Sequence, residues 1–366
     1  MRESPTTDGS SRRGFLGSAA AVGLAALAGC LGSPDILDRE SDDKPAVTNG
    51  LPTADRSLPQ EYTVEELNDA ILPGGPGQDG IPSVDDPQFA SADDPPENLD
   101  GGDPIFGVVL NGDTKAYPQY NLVWHEIVND VVGGESVAVT YCPLTGTAQG
   151  FYRGENELGV SGRLINSNLV MFDRETETWW PQILALGIRG PHEGEYVEEF
   201  QVNWTSWDRW REQYPETVVL TEDTGHIRNY GDDPYGEYNP RSGYYENENT
   251  LFSPLATDDR FRMKAVVIGA RNADGAMAVP KDSLREQAVV EGTMSETPYV
   301  TVYDEVLDTG YVYRNPEERS VEADGGSVVV DGDPYDPDAL PLECEIGFDA
   351  MWFAWYGYYP STVVHE

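Results

Sequence analysis

The chain is short of the residues on which most protein chemistry relies. In 366 residues it has three cysteines, four histidines and six methionines. Lysine occurs only at Lys44, Lys115, Lys264 and Lys281, and all basic residues together number 23 against 65 acidic ones. That balance leaves no basic patch able to neutralise a phosphate backbone, which excludes nucleic acid as a partner. No HExxH, paired CxxC, phosphate-binding P-loop or GxSxG elbow occurs. Zinc-protease, thioredoxin-like, nucleotide-dependent and serine-hydrolase chemistries therefore have no motif behind them. After residue 30 no apolar run approaches the roughly 20 residues a helix needs to cross a bilayer. No repeat of solenoid type is present.

What is there begins with an address. Ser11-Arg12-Arg13-Gly14-Phe15-Leu16 reads as a twin-arginine export signal, and an apolar, small-residue stretch follows from Ala19 to Ala28. Leu27-Ala28-Gly29-Cys30 reads as a lipoprotein cleavage box. Residues 1–30 are thus expected to be a signal peptide, with Cys30 lipidated and the chain held by that lipid on the outer face of the membrane, a cell-surface, extracytoplasmic location. Residues 31–58, rich in Ser, Asp, Pro and Gly, are expected to form a flexible acidic tether. The formal net charge is −42, with the acids spread along the chain. This pattern resembles proteins of extreme halophiles, in which carboxylates hold water and cations and molar salt shortens the Debye length to about 3 Å.

Residues 59–366 read as a single domain. Tyr62 to Leu72 has helical spacing, with Thr63 as N-cap and Glu66 three residues on. From Ile105 onward the signals are short strands bounded by Gly, Asn or Asp, including 106–110, 115–117, 136–142, 148–153, 158–161, 169–173, 187–189, 262–270, 299–304, 311–314 and 327–330. Trp204 to Tyr214 reads as a helix ended by Pro215, and Phe348 to Tyr356 as either a buried strand or a short helix. Strand–helix alternation is absent, so the expected class is α+β, predominantly β, with a barrel or sandwich-like core and few short helices.

Several segments carry a resemblance. They include Asp103-Pro104-Ile105-Phe106-Gly107, Trp124-His125-Glu126-Ile127-Val128-Asn129-Asp130, Val139-Thr140-Tyr141-Cys142-Pro143-Leu144-Thr145-Gly146-Thr147, Asn166-Ser167-Asn168-Leu169-Val170-Met171-Phe172-Asp173-Arg174, Trp180-Pro181-Gln182 and Trp352-Phe353-Ala354-Trp355. Their order over 103–365 resembles the family catalogued as domain of unknown function 3179, which implies kinship without an agreed activity. Some relatives have a second cysteine where this chain has Thr145.

Cys142 is the residue that invites chemistry. A strand delivers it, Pro143 suits the second position of a type I turn, and Gly146 suits a left-handed residue. Such a turn aims the N–H groups of Leu144 and Thr145 at the sulfur and is expected to favour thiolate. Three readings stay open: a disulfide to Cys344 in a structural surface protein, a buried inert thiol, or a functional thiolate. For the last, His125 is the partner, flanked by apolar residues; its alternative is a core histidine satisfied by a carbonyl. A Cys142–His125 pair supports a thiol-dependent enzyme, with Asp130, Asn129 or Glu126 orienting the ring. It also supports a transition-metal site, copper or zinc, with Met171 as a third ligand. Ser161, Asn166, Ser167, Asn168, Asp173 and Arg174 are candidate lining groups of a small-ligand pocket, against turn chemistry as the alternative.

Overall fold

A computed structural model describes residues 50–366. The signal segment, Cys30 and residues 31–49 of the expected tether lie outside the described residues. Residues 50–58 are not tether. Leu51 and Leu58 are buried, and strand Thr53–Ala54 pairs antiparallel with Tyr196–Val197. Two leucines seven positions apart in a Pro- and Asp-rich stretch show no period, yet each fills a site in the core. The following helix, Val64–Asp69, has the capping box its sequence predicts, with Thr63 and Glu66 each closing on the other's backbone N–H.

The expected class holds: the described chain is strand-rich with five short α-helices in one domain, and its sheets are open rather than closed into a barrel. The strands Pro104–Leu110 and Asp113–Pro118 form a hairpin whose turn, Asn111-Gly112, has positive φ at both residues (49° and 81°), the requirement of a type I′ turn. Pro118 then opens helix Gln119–His125, which Glu126 ends in the left-handed conformation. Strands Ile127–Val132, Glu135–Cys142 and Thr147–Tyr152 form a second antiparallel sheet. Strand Asn203–Ser206 returns to the first hairpin, runs into helix Trp207–Gln213, and is followed by Val218–Leu220, parallel to the hairpin. Side chains from both sheets, among them Phe106, Val108, Tyr117, Val128, Val137 and Tyr141, interlock into one core cluster, a sandwich.

This whole arrangement occurs twice. Val267↔Pro280 pairs as Ile105↔Pro118 does, Val289↔Val302 as Ile127↔Thr140, and Tyr299↔Arg314 as Val137↔Tyr152, always 162 residues on (267 − 105 = 162). The returning elements repeat 145 residues on (352 − 207 = 145): helix Trp352–Tyr358 matches Trp207–Gln213, and Val363–Val364 matches the start of Val218–Leu220. Helix Lys281–Gln287 likewise follows Pro280 and ends at a left-handed Ala288. In both copies the second helix tryptophan donates its indole N–H to a threonine seven residues on at 3.0 Å, Trp210 to Thr217 and Trp355 to Thr362. The first copy carries an inserted hairpin, Leu158–Ile165 with Asn168–Asp173.

A single core cluster draws Ile127, Cys142, Phe151 and Val160 together with Val267, Met351, Trp352 and Trp355, so the two halves share one interior. Burying a tryptophan removes about 150–250 Å² from water, roughly 4–6 kcal/mol at 25 cal/mol/Å². The four helix tryptophans, all essentially inaccessible, are therefore main anchors of the fold. Residues 204–206 and 348–351, expected as helix and as an ambiguous segment, are the strand portions of these strand-to-helix junctions. Residues 187–189 form only an isolated bridge, Trp179↔Arg189.

Candidate functional site

Cys142 ends its strand as expected, the turn closes through Thr145 N–H to the Cys142 carbonyl at 3.3 Å, and Gly146 is left-handed with φ 56°. The thiol is free and 1% exposed, and it donates to the Ser167 carbonyl at 3.6 Å. The disulfide reading is therefore corrected: Cys344 lies on strand Glu343–Glu345 of the other half, opposite Tyr313. The expected low pKa is also corrected. Burial, and secondarily the Glu126 carboxyl, push the thiol up to about 11, outweighing the Thr145 hydroxyl and the Thr145 and Leu169 N–H groups that favour thiolate. The predicted nest does form, but in the second half. Asp304 is the equivalent of Cys142 (304 − 142 = 162), and its Oδ1 accepts from the N–H groups of Val306 and Leu307, the counterparts of Leu144 and Thr145, at 2.8 and 3.0 Å.

His125 is not the partner of Cys142. Its Nδ1 faces the Pro82 carbonyl and its Nε2 the Tyr230 hydroxyl, both at 2.7 Å, and burial pulls its pKa down to about 4. Asp130 binds Lys115 at 3.0 Å and Tyr117 at 2.6 Å, and Asn129 braces Leu158, so neither orients that ring. The neighbour of Cys142 is Glu126, because the Tyr141 N–H bonds the Glu126 carbonyl at 2.7 Å across the helix end. Burial alone raises the Glu126 carboxyl to about 8. Met171 is fully buried between Val160 and Trp180 in the core. Among the described residues no group of three His, Cys, Asp or Glu side chains could hold a metal ion.

The polar residues after Ser161 serve the fold. Ser161 bonds the Val170 carbonyl, Asn166 the Ala354 carbonyl at 2.7 Å, and Ser167 the Phe252 carbonyl at 3.0 Å. Asn168 joins Thr145 and Gln182 beneath Cys142, at 3.2 and 2.9 Å. Asp173 caps its own turn through Thr176 and accepts from the Trp180 indole at 3.1 Å. Arg174 pairs with Asp79, Asp85 and Glu157 rather than with Asp173.

The concave site lies one layer above Cys142, along the seam between the halves. A cleft of about 680 Å³ is lined by residues at equivalent positions of both copies. The first half contributes Gly102, Gly146 and Trp204; the second contributes, at the same places, Lys264, Asp308 and Asp349 (264 − 102 = 162, 308 − 146 = 162, 349 − 204 = 145). Apart from Arg209, the first-half wall is thus small and aromatic, whereas the second-half wall is charged. The connecting segment between the halves closes a third side with Tyr238, Arg241 and Tyr245. Tyr238 reaches the Tyr141 hydroxyl at 3.2 Å, and Tyr244 the Leu144 carbonyl at 2.7 Å, so these tyrosines roof the Cys142 turn. The Met351 N–H bonds the Thr145 carbonyl at 2.9 Å, joining that turn to the second half. None of the candidate site residues chosen from sequence lines the cleft, although Gly146 of the Cys142 turn does. The signal that could have found it is the scarcity of lysine, since two of the four lysines, Lys264 and Lys281, point to it.

The motif order and a family match agree. The family described as "Protein of unknown function (DUF3179)" matches residues 78–362. The chain belongs to this family. The match spans both copies of the duplicated unit, so the family's domain is the pair and includes the seam cleft. No curated protein and no solved structure matches the chain. Among the described residues no helix is long and apolar enough to cross a membrane.

Proposed function

We propose that the chain is a small-ligand-binding module, carried outside the cytoplasm on a lipid at Cys30, whose ligand lies in the seam cleft. The observation that supports this reading is the divergence of equivalent surfaces: after duplication one became a wall of glycine and tryptophan, the other a wall of lysine and carboxylates. A structural role alone gives no reason to keep an open cleft of about 680 Å³, a size within the usual range for small-molecule sites. Cys142 acts in this reading as a buried support of the cleft floor and not as a nucleophile, because neither access nor ionisation favours attack.

The test is thermal unfolding of the protein against panels of neutral sugars, amino acids, nucleosides and organic acids. At least one class is expected to raise the midpoint through binding to the native state. The control is Ser206→Trp, which fills the cleft at a residue whose side chain makes no capping bond. The reading fails if no class raises the midpoint, or if the filled variant responds like the wild type.

A further inference from the structure

The charge around the cleft departs from the rest of the chain. Overall, acids outnumber bases 65 to 23. The lining reverses this, with six bases: Arg209, Arg241, Arg262, Lys264, Lys281 and Arg285. Its acids are five: Glu246, Glu248, Asp282, Asp308 and Asp349. Pairing sorts them further. Arg262 pairs with Glu248, Lys281 with Asp349, and Arg285 with Asp308 and Asp282, at 2.7 to 2.9 Å. Those contacts occupy three bases and four acids.

Among the described residues the other three cations make no ion pair at contact distance, although Glu248 acts on Lys264, and Asp304 on Arg209, from farther off. Lys264 is 3% exposed; its ammonium is held by the Tyr244 carbonyl, by Asn247 Oδ1 at 3.3 Å and over the Tyr244 ring at 3.2 Å. Arg241 lies over the Tyr238 ring at 5.8 Å. Arg209 donates one nitrogen to the backbone carbonyls of Glu305 and Val306 and leaves the rest of its fork free. Against these three the only unpaired carboxylate of the lining is the exposed Glu246. Burying an ammonium is unfavourable, and burial lowers the Lys264 pKa to about 8 against the partial opposing pull of Glu248, which is itself paired with Arg262, so the amine remains mostly charged at neutral pH. In a chain with carboxylates to spare, a buried cation given no ion-paired carboxylate of its own at a cleft marks the place of an anion that comes from outside.

Resting on the cleft being the binding site, we infer that the ligand is a small organic anion, carrying a carboxylate or phosphate, whose charged group is held by Lys264, Arg209 and Arg241 while its body lies against Trp204 and Tyr238. Arginine supplies the planar fork that suits either group, and lysine the point charge. Trp204 is held by edge contacts with Phe106 at 5.0 Å and Tyr238 at 5.2 Å, fixing the aromatic wall.

The experiment is calorimetric titration of the purified protein in potassium chloride with matched probes: glucuronate and glucose 6-phosphate against glucose, and citrate against glycerol. Anionic probes are expected to bind at least tenfold more tightly than their neutral counterparts, and the two glucose-derived anions separate carboxylate from phosphate preference. Arg241→Gln and Arg209→Gln, both on exposed side chains, are each expected to weaken the anion by about tenfold, the scale of one charged hydrogen bond. Lys264→Met is expected to weaken it more. If anions bind no better than neutral probes, or if both arginine variants stay within twofold of the wild type, the inference is overturned. Binding of neutral probes alone overturns it while leaving the cleft as a site; binding of nothing overturns both.

Discussion

At the scale of single residues, Cys142 and His125 teach that residue type indicates where polar burial occurs but not which groups meet. The turn geometry of Cys142 was legible, since Pro143 and Gly146 dictate it; the desolvation that reverses its expected pKa comes from side chains of distant segments, such as Tyr244, Met351 and Tyr358, that share its buried cluster. Glu126 was read only as a candidate to orient His125, because nothing in its neighbours signals a buried carboxyl at a left-handed helix end beside Cys142. It carries a pH signature. Its pKa is raised from 4.5 to about 8, so between those values the folded state holds a proton that the unfolded state has lost, and stability falls as pH rises. His125 acts in the opposite sense: lowered from 6.5 to about 4, it adds stability as pH rises from 4 to 6.5. The two offset each other up to pH 6.5, and only Glu126 acts above it. The wild type is expected to lose about 2 kcal/mol from this group between pH 6.5 and 8. Glu126→Gln is expected to be flat over that interval. Urea unfolding at closely spaced pH values checks this, and equal slopes for wild type and variant would refute the assignment.

At the scale of elements, most strands were legible from Gly, Asn and Asp boundaries, and the capped helix from Thr63 and Glu66. Helices Gln119–His125 and Lys281–Gln287 were not, because each is seven residues long, opens on proline and has no capping side chain. The duplication was hidden for a related reason. Between the first hairpins and sheets few residues agree, since sandwich positions demand only an apolar side chain of suitable size. Its legible trace is Trp-x-x-Trp-x-x-x-Tyr-Pro-x-Thr-Val-Val, present at 207–219 and again at 352–364. There shape is specific. Gly107 and Gly269 are equivalent, and a Cβ would lie 2.2 Å from the Trp210 ring in the first and 2.4 Å from the Trp355 ring in the second. Neither tryptophan can retreat without breaking its indole bond to Thr217 or Thr362. Gly107→Ala and Gly269→Ala are each expected to destabilise by about 3 kcal/mol, the upper range of overpacking. Chemical unfolding of the two variants checks both the size and the equality. A loss under 1 kcal/mol in either would show that the helix can shift, and that the repeated contact does not fix the two halves in the same way.

At the scale of the whole molecule, the charge of −42 and the shared core pull in opposite directions. The core is large and continuous across the halves, while the acids repel one another over the entire surface. The ion pairs most shielded from salt are few, chiefly Arg271–Glu199 and Lys281–Asp349, whose side chains are at most 8% exposed. The exposed pairs contribute little individually and are screened as salt rises. Repulsion is screened by the same ions. Because unpaired acids far outnumber pairs, the loss of repulsion dominates, and net stability is expected to increase with potassium chloride. The Debye length shortens from about 10 Å at 0.1 M to about 3 Å at 1 M, so most of the gain from screening falls in that interval. A gain of several kcal/mol corresponds to a rise in Tm of roughly 10 °C for a chain of this size. Calorimetric scans from 0.1 to 4 M separate two mechanisms: a plateau above 1 M means screening alone, whereas a continued rise means that the carboxylate surface also gains from binding hydrated cations in the folded form. A Tm that stays constant or falls with salt would show that the acids are already neutralised by local pairing, against the excess of unpaired carboxylates on which the halophile reading rests.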